Sequence, residues 1–275
     1  FNIGDRVVVP HHVPCGQCLL CRNGNETMCE LFRENLIEPG GFADHILVKD
    51  RATSDAARKI PDEISDSAAV FLEPAACVLR GVNRSGLSSN ESVAILGGGS
   101  MGLLHLLLIK TLHPTARILL IDPLDERRNK AKKLGADVTS APDGDAVMAV
   151  STMTNGLGVD VVFDTVGGSK VLESALTISR EGGSIILFAH APDNAKGEIN
   201  LNNIFKSERR IIGTYSGALT EQIAVFELIT SKQLDPTPLV SHVMPLDEFA
   251  SGYELIKRQQ ALKVLFTPSR GVVKT

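Results

Sequence analysis

The chain has 275 residues, of which 43% are hydrophobic and 22% charged, a composition typical of a soluble globular protein long enough for two domains. Its net charge of −4 gives no electrostatic reason to expect a nucleic-acid partner. No apolar run reaches the ~20 residues of a membrane-spanning helix and no signal peptide is visible, so we expect a cytoplasmic protein without a membrane partner.

A cysteine cluster follows the first predicted strand, residues 6–9. Its spacing is C-x2-C-x2-C-x7-C, and its members are Cys15, Cys18, Cys21 and Cys29. Four thiolates held this closely in a Gly/Asn-rich loop can surround one Zn²⁺ tetrahedrally, which makes a structural site with no open position. Disulfides are the alternative, but they are less suited to a chain that looks cytosolic. Because four cysteines fill the site, His11 and His12 just before it are interpreted as loop residues.

A helix is predicted to begin after Ser65, a plausible N-cap, and to be interrupted at Pro74. Glu73 therefore lies at a break between two helical pieces in an apolar stretch. It is either a buried carboxylate, which needs a cation or a donor, or a helix-terminal anion with access to solvent. The fifth cysteine, Cys77, is interpreted as a buried small hydrophobic residue. A strand is predicted at residues 42–48.

Residues 92–122 switch in periodicity from strand to helix and back to strand, which predicts a βαβ unit. A G-x-G-x-x-G turn lies at its first junction, and this pattern is typical of dinucleotide-binding proteins. Its candidate cofactor-binding residues are Gly97, Gly99, Ser100, Met101 and Gly102.

The three glycines have different predicted roles. Gly97 makes the tight turn, Gly99 lets a pyrophosphate approach the backbone, and Gly102 lets the helix pack on the strand. The phosphates would face the free N–H groups at the helix N-terminus. Asp122 lies twenty residues after Gly102, where a carboxylate accepts hydrogen bonds from an adenosine ribose and repels a 2′-phosphate, so NAD is favoured over NADP. The alternative is a similar unit that binds another adenosine ligand or none.

The alternating pattern continues and predicts an α/β fold with six strands in a doubly wound parallel sheet. The predicted strands are residues 93–96, 118–121, 137–139, 160–164, 184–188 and 210–215. The tail has helices at residues 220–229 and 246–257 and strands at 239–243 and 263–266. This tail is too short for an independent domain, and packing back onto the N-terminal segment would complete a second domain.

Several motifs in this order resemble the medium-chain zinc-dependent alcohol dehydrogenases. They are GDRVVVP, the cysteine cluster, PGGF, FLEPAACVLRGV, LGGGSMG, ID and FDTVGG. Glu73-Pro74 is similar to the sorbitol and threonine dehydrogenase branch. The resemblance implies a Rossmann dinucleotide-binding domain at residues 82–216 and a GroES-like, mainly-β catalytic domain at residues 1–81 and 217–275, truncated at its N-terminus.

The resemblance also implies an activity, which is zinc-dependent hydride transfer between a secondary alcohol or polyol and NAD. It implies two zincs: the structural one, and a catalytic one that Glu73 binds directly or whose water Glu73 holds. Arg127 matches a residue that packs near the adenosine. A homodimer or homotetramer is implied, with residues 210–215 as a pairing edge strand.

The family's first catalytic ligands, a cysteine and a Gly-His-Glu motif, lie upstream of the strand with which this sequence opens. The residues given are therefore expected to hold the structural zinc and an incomplete catalytic site. The alternative to the enzyme is a truncated or catalytically silent protein of the same fold that binds zinc and a dinucleotide.

Overall fold

The computed structural model describes residues 1–268, and its contacts divide the chain into two compact units. Among the described residues, 1–77 and 216–268 form the first unit, and 78–215 form the second. None of the helices in residues 1–268 is long and apolar enough to cross a membrane.

Short elements make up the N-terminal part of the first unit. They are β1 (Val7–Val8), α1 (Leu19–Arg22), β2 (Ile37–Glu38), β3 (Leu47–Val48), β4 (Arg58–Lys59) and α2 (Asp66–Ala69). Strand β1 pairs antiparallel with β4, and β2 pairs antiparallel with β3. The predicted strand at residues 42–48 is wrong over residues 42–46, because β2 offers only two residues for pairing.

Helix α3 (Leu72–Ser85) begins where the sequence predicts a break between two helical pieces. Pro74 lies in its first turn, where a backbone N–H has no partner within the helix. The Ser65 hydroxyl accepts a hydrogen bond from the N–H of Ala68 at 3.1 Å, which confirms Ser65 as the N-cap of α2.

A single parallel sheet forms the centre of the second unit and confirms the predicted doubly wound α/β fold. Its strands are β5 (Ser92–Leu96), β6 (Arg117–Ile121), β7 (Val138–Ser140), β8 (Val159–Asp164), β9 (Ser179–Leu187) and β10 (Arg210–Gly213). The spatial order is β10-β9-β8-β5-β6-β7, with β10 and β7 at the edges. This order reverses at β5, and the carboxyl ends of β5 and β8 form the crevice where such sheets bind ligands.

Five helices belong to the same unit. They are α4 (Ser100–Leu112), α5 (Asp125–Lys133), α6 (Gly144–Thr154), α7 (Ser169–Ile178) and α8 (Asn202–Phe205). Strands β5, β6 and β8 are mostly apolar and buried, as expected for strands covered on both faces. Strand β9 begins at Ser179, five residues before its predicted start. Gly158 permits this because a Cβ at that position would lie 2.7 Å from the backbone nitrogen of Arg180.

The C-terminal part of the first unit contains α9 (Leu219–Thr230), β11 (His242–Pro245), α10 (Phe249–Lys257) and β12 (Val264–Thr267). Strands β11 and β12 pair in parallel. The predicted strand at residues 239–243 is wrong at its start, because Thr237–Leu239 is a 3-10 turn. Pro238 within that turn has no N–H to donate to a neighbouring strand.

A histidine is fully buried in the core of the second unit. His105 in α4 has no exposed surface, and its Nδ1 donates to the Met101 carbonyl at 2.8 Å. The ring packs against Phe163 and Phe188, with centroids 5.0 and 4.6 Å away. Gly81 lies beside the ring, and a Cβ there would be in ordinary van der Waals contact with Nε2 at 3.8 Å. Burial lowers the pKa of His105 to about 4 from its ordinary value of 6.5.

This burial makes the stability of the protein sensitive to acid. Between pH 6.5 and 4 the unfolded chain binds a proton at His105 that the folded chain does not, so the free energy of unfolding falls as pH drops through this range. We expect a loss of about 3 kcal/mol from this residue, measured by urea unfolding followed by circular dichroism. His105→Leu should flatten the dependence, whereas His190→Gln, at an exposed position, should not. If the free energy of unfolding depended equally on pH in both variants, His105 would not be the source of the acid sensitivity.

Candidate dinucleotide and zinc sites

The turn between β5 and α4 can be built only with glycine at its ends. Gly97 has a φ of +101°, and a Cβ there would lie 2.7 Å from the Thr165 hydroxyl. A Cβ at Gly102 would lie 1.9 Å from the Gly97 carbonyl oxygen. The first turn of α4 therefore packs directly against the turn that precedes it.

The same turn leaves space where a phosphate could approach the backbone. A Cβ at Gly99, the N-cap of α4, would meet nothing within 4 Å among the described residues. The N–H groups of Ser100, Met101 and Gly102 belong to the first helical turn, where no intrahelical acceptor exists. Open space beside exposed N–H groups is the arrangement that binds phosphate at a helix N-terminus.

Asp122 follows β6 and holds its carboxylate next to this turn. The side chain is 2% exposed. Its Oδ2 accepts a hydrogen bond from the N–H of Gly98 at 2.7 Å, and its Oδ1 accepts one from the N–H of Leu124 at 2.8 Å. Arg127 Nη1 lies 3.5 Å from Oδ2. Arg127 Nη1 also donates to Oδ2, whereas Oδ1 keeps a second lone pair that can accept a hydrogen bond from a ribose hydroxyl.

The four clustered cysteines of the first unit bring their sulfur atoms together. All four Sγ atoms lie within 4.8 Å of one another. Sγ of Cys21 is 3.9 Å from that of Cys15 and 3.5 Å from that of Cys18. These separations are far longer than a disulfide bond of about 2.05 Å and match a zinc tetrahedron, in which sulfurs are about 3.8 Å apart. The cluster therefore has the geometry of a four-thiolate zinc site.

Backbone N–H groups donate hydrogen bonds to two of the four sulfur atoms, and the environments of the thiols differ. The N–H of Cys18 donates to Sγ of Cys15 at 3.3 Å, and the N–H of Cys15 donates to Sγ of Cys29 at 3.4 Å. Backbone donors, from Gln17 first and then from Cys18, lower the pKa of Cys15 to about 6. Burial, aided by the neighbouring thiols, raises the pKa of Cys21 to about 12. Phe32 packs against the cluster from the apolar side.

Known proteins are similar in sequence to nearly all of this chain. The family described as zinc-binding dehydrogenase matches residues 101–231, and the alcohol dehydrogenase GroES-like domain matches residues 1–62. Sorbitol dehydrogenase of Bacillus subtilis is 30% identical over 275 residues, which cover 98% of this chain and 76% of that protein. The chain belongs to the zinc-dependent alcohol dehydrogenase family.

Two further comparisons agree with this assignment. L-threonine 3-dehydrogenase of Caldanaerobacter subterraneus is 31% identical over an alignment 282 positions long, which covers 97% of this chain and 76% of that protein. The structure of alcohol dehydrogenase TADH from Thermus sp. ATN1 superposes with a TM-score of 0.84 at 32% identity, covering 96% of this chain and 78% of that one. The protein is therefore an oxidoreductase acting on a small molecule, with zinc and a nicotinamide dinucleotide as cofactors.

Glu73 of this dehydrogenase lies in the first turn of α3 and has a donor and a cation nearby. Its Oε1 accepts the Cys77 thiol at 3.0 Å, and the Ser216 hydroxyl lies 4.0 Å from the same sulfur. Burial lowers the pKa of Lys263, and the negative charge of Glu73 opposes that decrease. Cys77 is therefore a hydrogen-bond donor to Glu73, whereas the sequence suggested only a buried small hydrophobic residue.

The residues described do not form a second metal centre. The cysteine cluster is the one group of three or more His, Cys, Asp or Glu within residues 1–268 whose donor atoms are close enough for a metal ion. Glu73 is not part of any such group in this part of the chain, so its role toward a catalytic zinc stays a prediction. His12 packs against Phe32 with ring centroids 4.9 Å apart and ring planes tilted by 30°, and it lies outside helices and strands, as its interpretation as a loop residue predicts.

The structure brings together the cofactor-binding residues predicted from sequence and adds a contact from the loop after β8. Gly97, Gly102 and Asp122 surround one turn, as the motif predicts. Thr165, in the loop after β8, also contacts this turn through its hydroxyl. Its partner, Leu96, is 69 residues away in sequence. The available signal was the position of Thr165 at the carboxyl end of a strand, where ligand-binding residues collect in such sheets.

Proposed function

We propose that this dehydrogenase oxidises a secondary alcohol or polyol with NAD as the hydride acceptor. The observation that carries the choice of NAD is the buried Asp122 carboxylate, fixed by two backbone N–H groups beside the glycine-rich turn. A 2′-phosphate placed there would face a negative charge, whereas ribose hydroxyls would find acceptors. The names of the relatives, sorbitol and L-threonine dehydrogenases, support a hydroxyl-bearing substrate of this class.

The proposed roles follow the geometry of each group. Gly97, Gly99 and Gly102 shape the turn, and the N–H groups of Ser100 and Met101 bind the pyrophosphate. Asp122 binds the adenosine ribose, and Arg127 packs beside it. The four cysteines hold one structural zinc, which stabilises their loop. A nicotinamide dinucleotide held at the glycine-rich turn would supply the hydride acceptor.

We also propose the domain roles and the assembly. Residues 82–216 bind the dinucleotide, and residues 1–81 and 217–275 form the catalytic domain. Strand β10 (Arg210–Gly213) is a sheet edge with one neighbour among the described strands, and we propose that it pairs with a second copy in a homodimer or homotetramer. A cytoplasmic location fits, because four reduced thiols need a reducing compartment.

A two-part measurement tests this function. NADH and NADPH are titrated by nucleotide fluorescence, and NAD reduction is then followed with sorbitol, other polyols, L-threonine and simple secondary alcohols in zinc-containing buffer. We expect NADH to bind at least about tenfold more tightly than NADPH, which is a difference in binding free energy of about 1.4 kcal/mol. We also expect the natural protein to reduce NAD with at least one of these alcohols. Asp122→Asn should reduce the difference in affinity between NADH and NADPH.

A second candidate function rests on the single metal-ligand group found in residues 1–268. It is a catalytically silent protein that binds zinc and a dinucleotide. Tight NADH binding without turnover of any panel member by the natural protein would favour it over the enzyme. NADPH binding as tight as NADH binding would contradict the role proposed for Asp122.

A further inference from the structure

The loop after β8 has a fixed shape that aims one hydroxyl at the glycine-rich turn. Asp164 is buried, and its Oδ1 accepts the N–H groups of Val166 at 3.0 Å and of Gly167 at 2.8 Å. Thr165 lies between them, and its Oγ1 donates to the Leu96 carbonyl at 2.7 Å. The N–H of Thr165 donates to the same carbonyl at 3.1 Å.

Two donors from one residue therefore occupy the carbonyl that ends β5. A carbonyl oxygen has two lone pairs, so the Leu96 acceptor is saturated and the Leu96–Gly97 peptide is held in one orientation. The neighbouring Gly97 carbonyl oxygen lies 3.5 Å from the same hydroxyl.

The hydroxyl also fills the space that the two glycines leave open. A Cβ at Gly97 would lie 2.7 Å from Thr165 Oγ1, and a Cβ at Gly102 would lie 3.2 Å from it. The oxygen thus sits where the start of the turn and the first turn of α4 come together. Any movement of this oxygen would be transmitted to both.

We propose that Thr165 is a positioning residue for dinucleotide binding, whose hydroxyl orients the Leu96–Gly97 peptide so that the first N–H groups of α4 face the pyrophosphate. This inference rests on the proposed function, since it presumes that the glycine-rich turn binds phosphates. Thr165 itself need not touch the cofactor. Its contribution is to keep the turn ordered before the ligand arrives, which lowers the ordering cost of binding.

The experiment compares Thr165→Ser with Thr165→Ala, because these variants differ from each other by one oxygen atom. Each full-length protein is titrated with NADH, ADP and adenosine. We expect Thr165→Ala to weaken NADH and ADP by about three- to tenfold, the range of one net hydrogen bond. Adenosine, which has no phosphate, should keep its affinity, and Thr165→Ser should bind all three within about twofold of wild type, a difference of about 0.4 kcal/mol.

A matched control and three outcomes decide the matter. Thr177→Ala removes an exposed helical hydroxyl that donates to the Glu173 carbonyl at 2.9 Å, and it should change no affinity. Wild-type NADH affinity in Thr165→Ala would overturn the inference, and so would equal weakening of ADP and adenosine, which indicates general loosening of the unit. A wild-type protein that binds neither NADH nor ADP would instead refute the proposed function.

Discussion

Gly102→Ala is expected to abolish measurable NADH binding and to destabilise the second unit by about 3 kcal/mol, the upper end of the usual cost of overpacking. The added Cβ would lie 1.9 Å from the Gly97 carbonyl oxygen and 2.9 Å from its carbonyl carbon. Both are backbone atoms of the turn, so no side chain can rotate to make room, and α4 has to move away from β5. The measurements are NADH titration and urea unfolding followed by circular dichroism.

Two other glycines provide matched controls for this prediction. A Cβ at Gly99 meets nothing within 4 Å, so Gly99→Ala should fold as stably as wild type and still bind NADH more weakly, because the methyl group enters the space proposed for the pyrophosphate. Gly144 starts α6 and is equally open, so Gly144→Ala should change neither property. Wild-type NADH affinity in Gly102→Ala would show that the turn does not determine binding.

Removal of zinc is expected to unfold the segment that carries the cysteine cluster. Few apolar side chains hold this segment, since the buried members of its core are Cys21, Cys29 and Phe32. Zinc bound to four thiolates supplies on the order of 10 kcal/mol, which such a segment cannot replace by packing. We expect one tightly held zinc per chain by metal analysis, and rapid tryptic cleavage after the exposed Arg22 once a strong chelator removes it.

Single cysteine substitutions distinguish the residues that bind zinc from Cys77, which does not. Cys21→Ser should lose the zinc and show the same tryptic cleavage without chelator. Cys77→Ser should keep the zinc, because Cys77 donates to Glu73 and is not part of the cluster. Two tightly held zincs per chain would contradict the single metal group described here, and retention of zinc by Cys21→Ser would contradict the four-thiolate assignment.

The features predicted correctly from the sequence are those encoded by short spacings. The G-x-G-x-x-G turn, the apolar strands beside it and the four cysteines each depend on residues within about thirty positions of one another. Cys77 was misinterpreted although it follows Glu73 by four residues on α3. That spacing places both side chains on one helix face, so the contact was open to prediction.

Strand limits depended on partners elsewhere in the chain. The strand predicted at residues 42–48 shrank to Leu47–Val48 because its partner has two residues. Strand β9 gained residues at its start because Gly158, about twenty positions earlier, lets the Arg180 backbone approach. Neither limit follows from the apolar pattern of the strand itself, which reports burial rather than pairing.

By itself, the sequence determined the fold class, the glycine-rich turn, the acid that follows β6 and the close spacing of four cysteines, because periodicity and spacing act locally along the chain. Only the tertiary structure decided that the Thr165 hydroxyl saturates the Leu96 carbonyl, that Cys77 donates to Glu73, and that His105 is buried beside Gly81. The physical reason is that hydrogen bonds and burial depend on distances in space, and a sequence pattern determines such distances only between near neighbours.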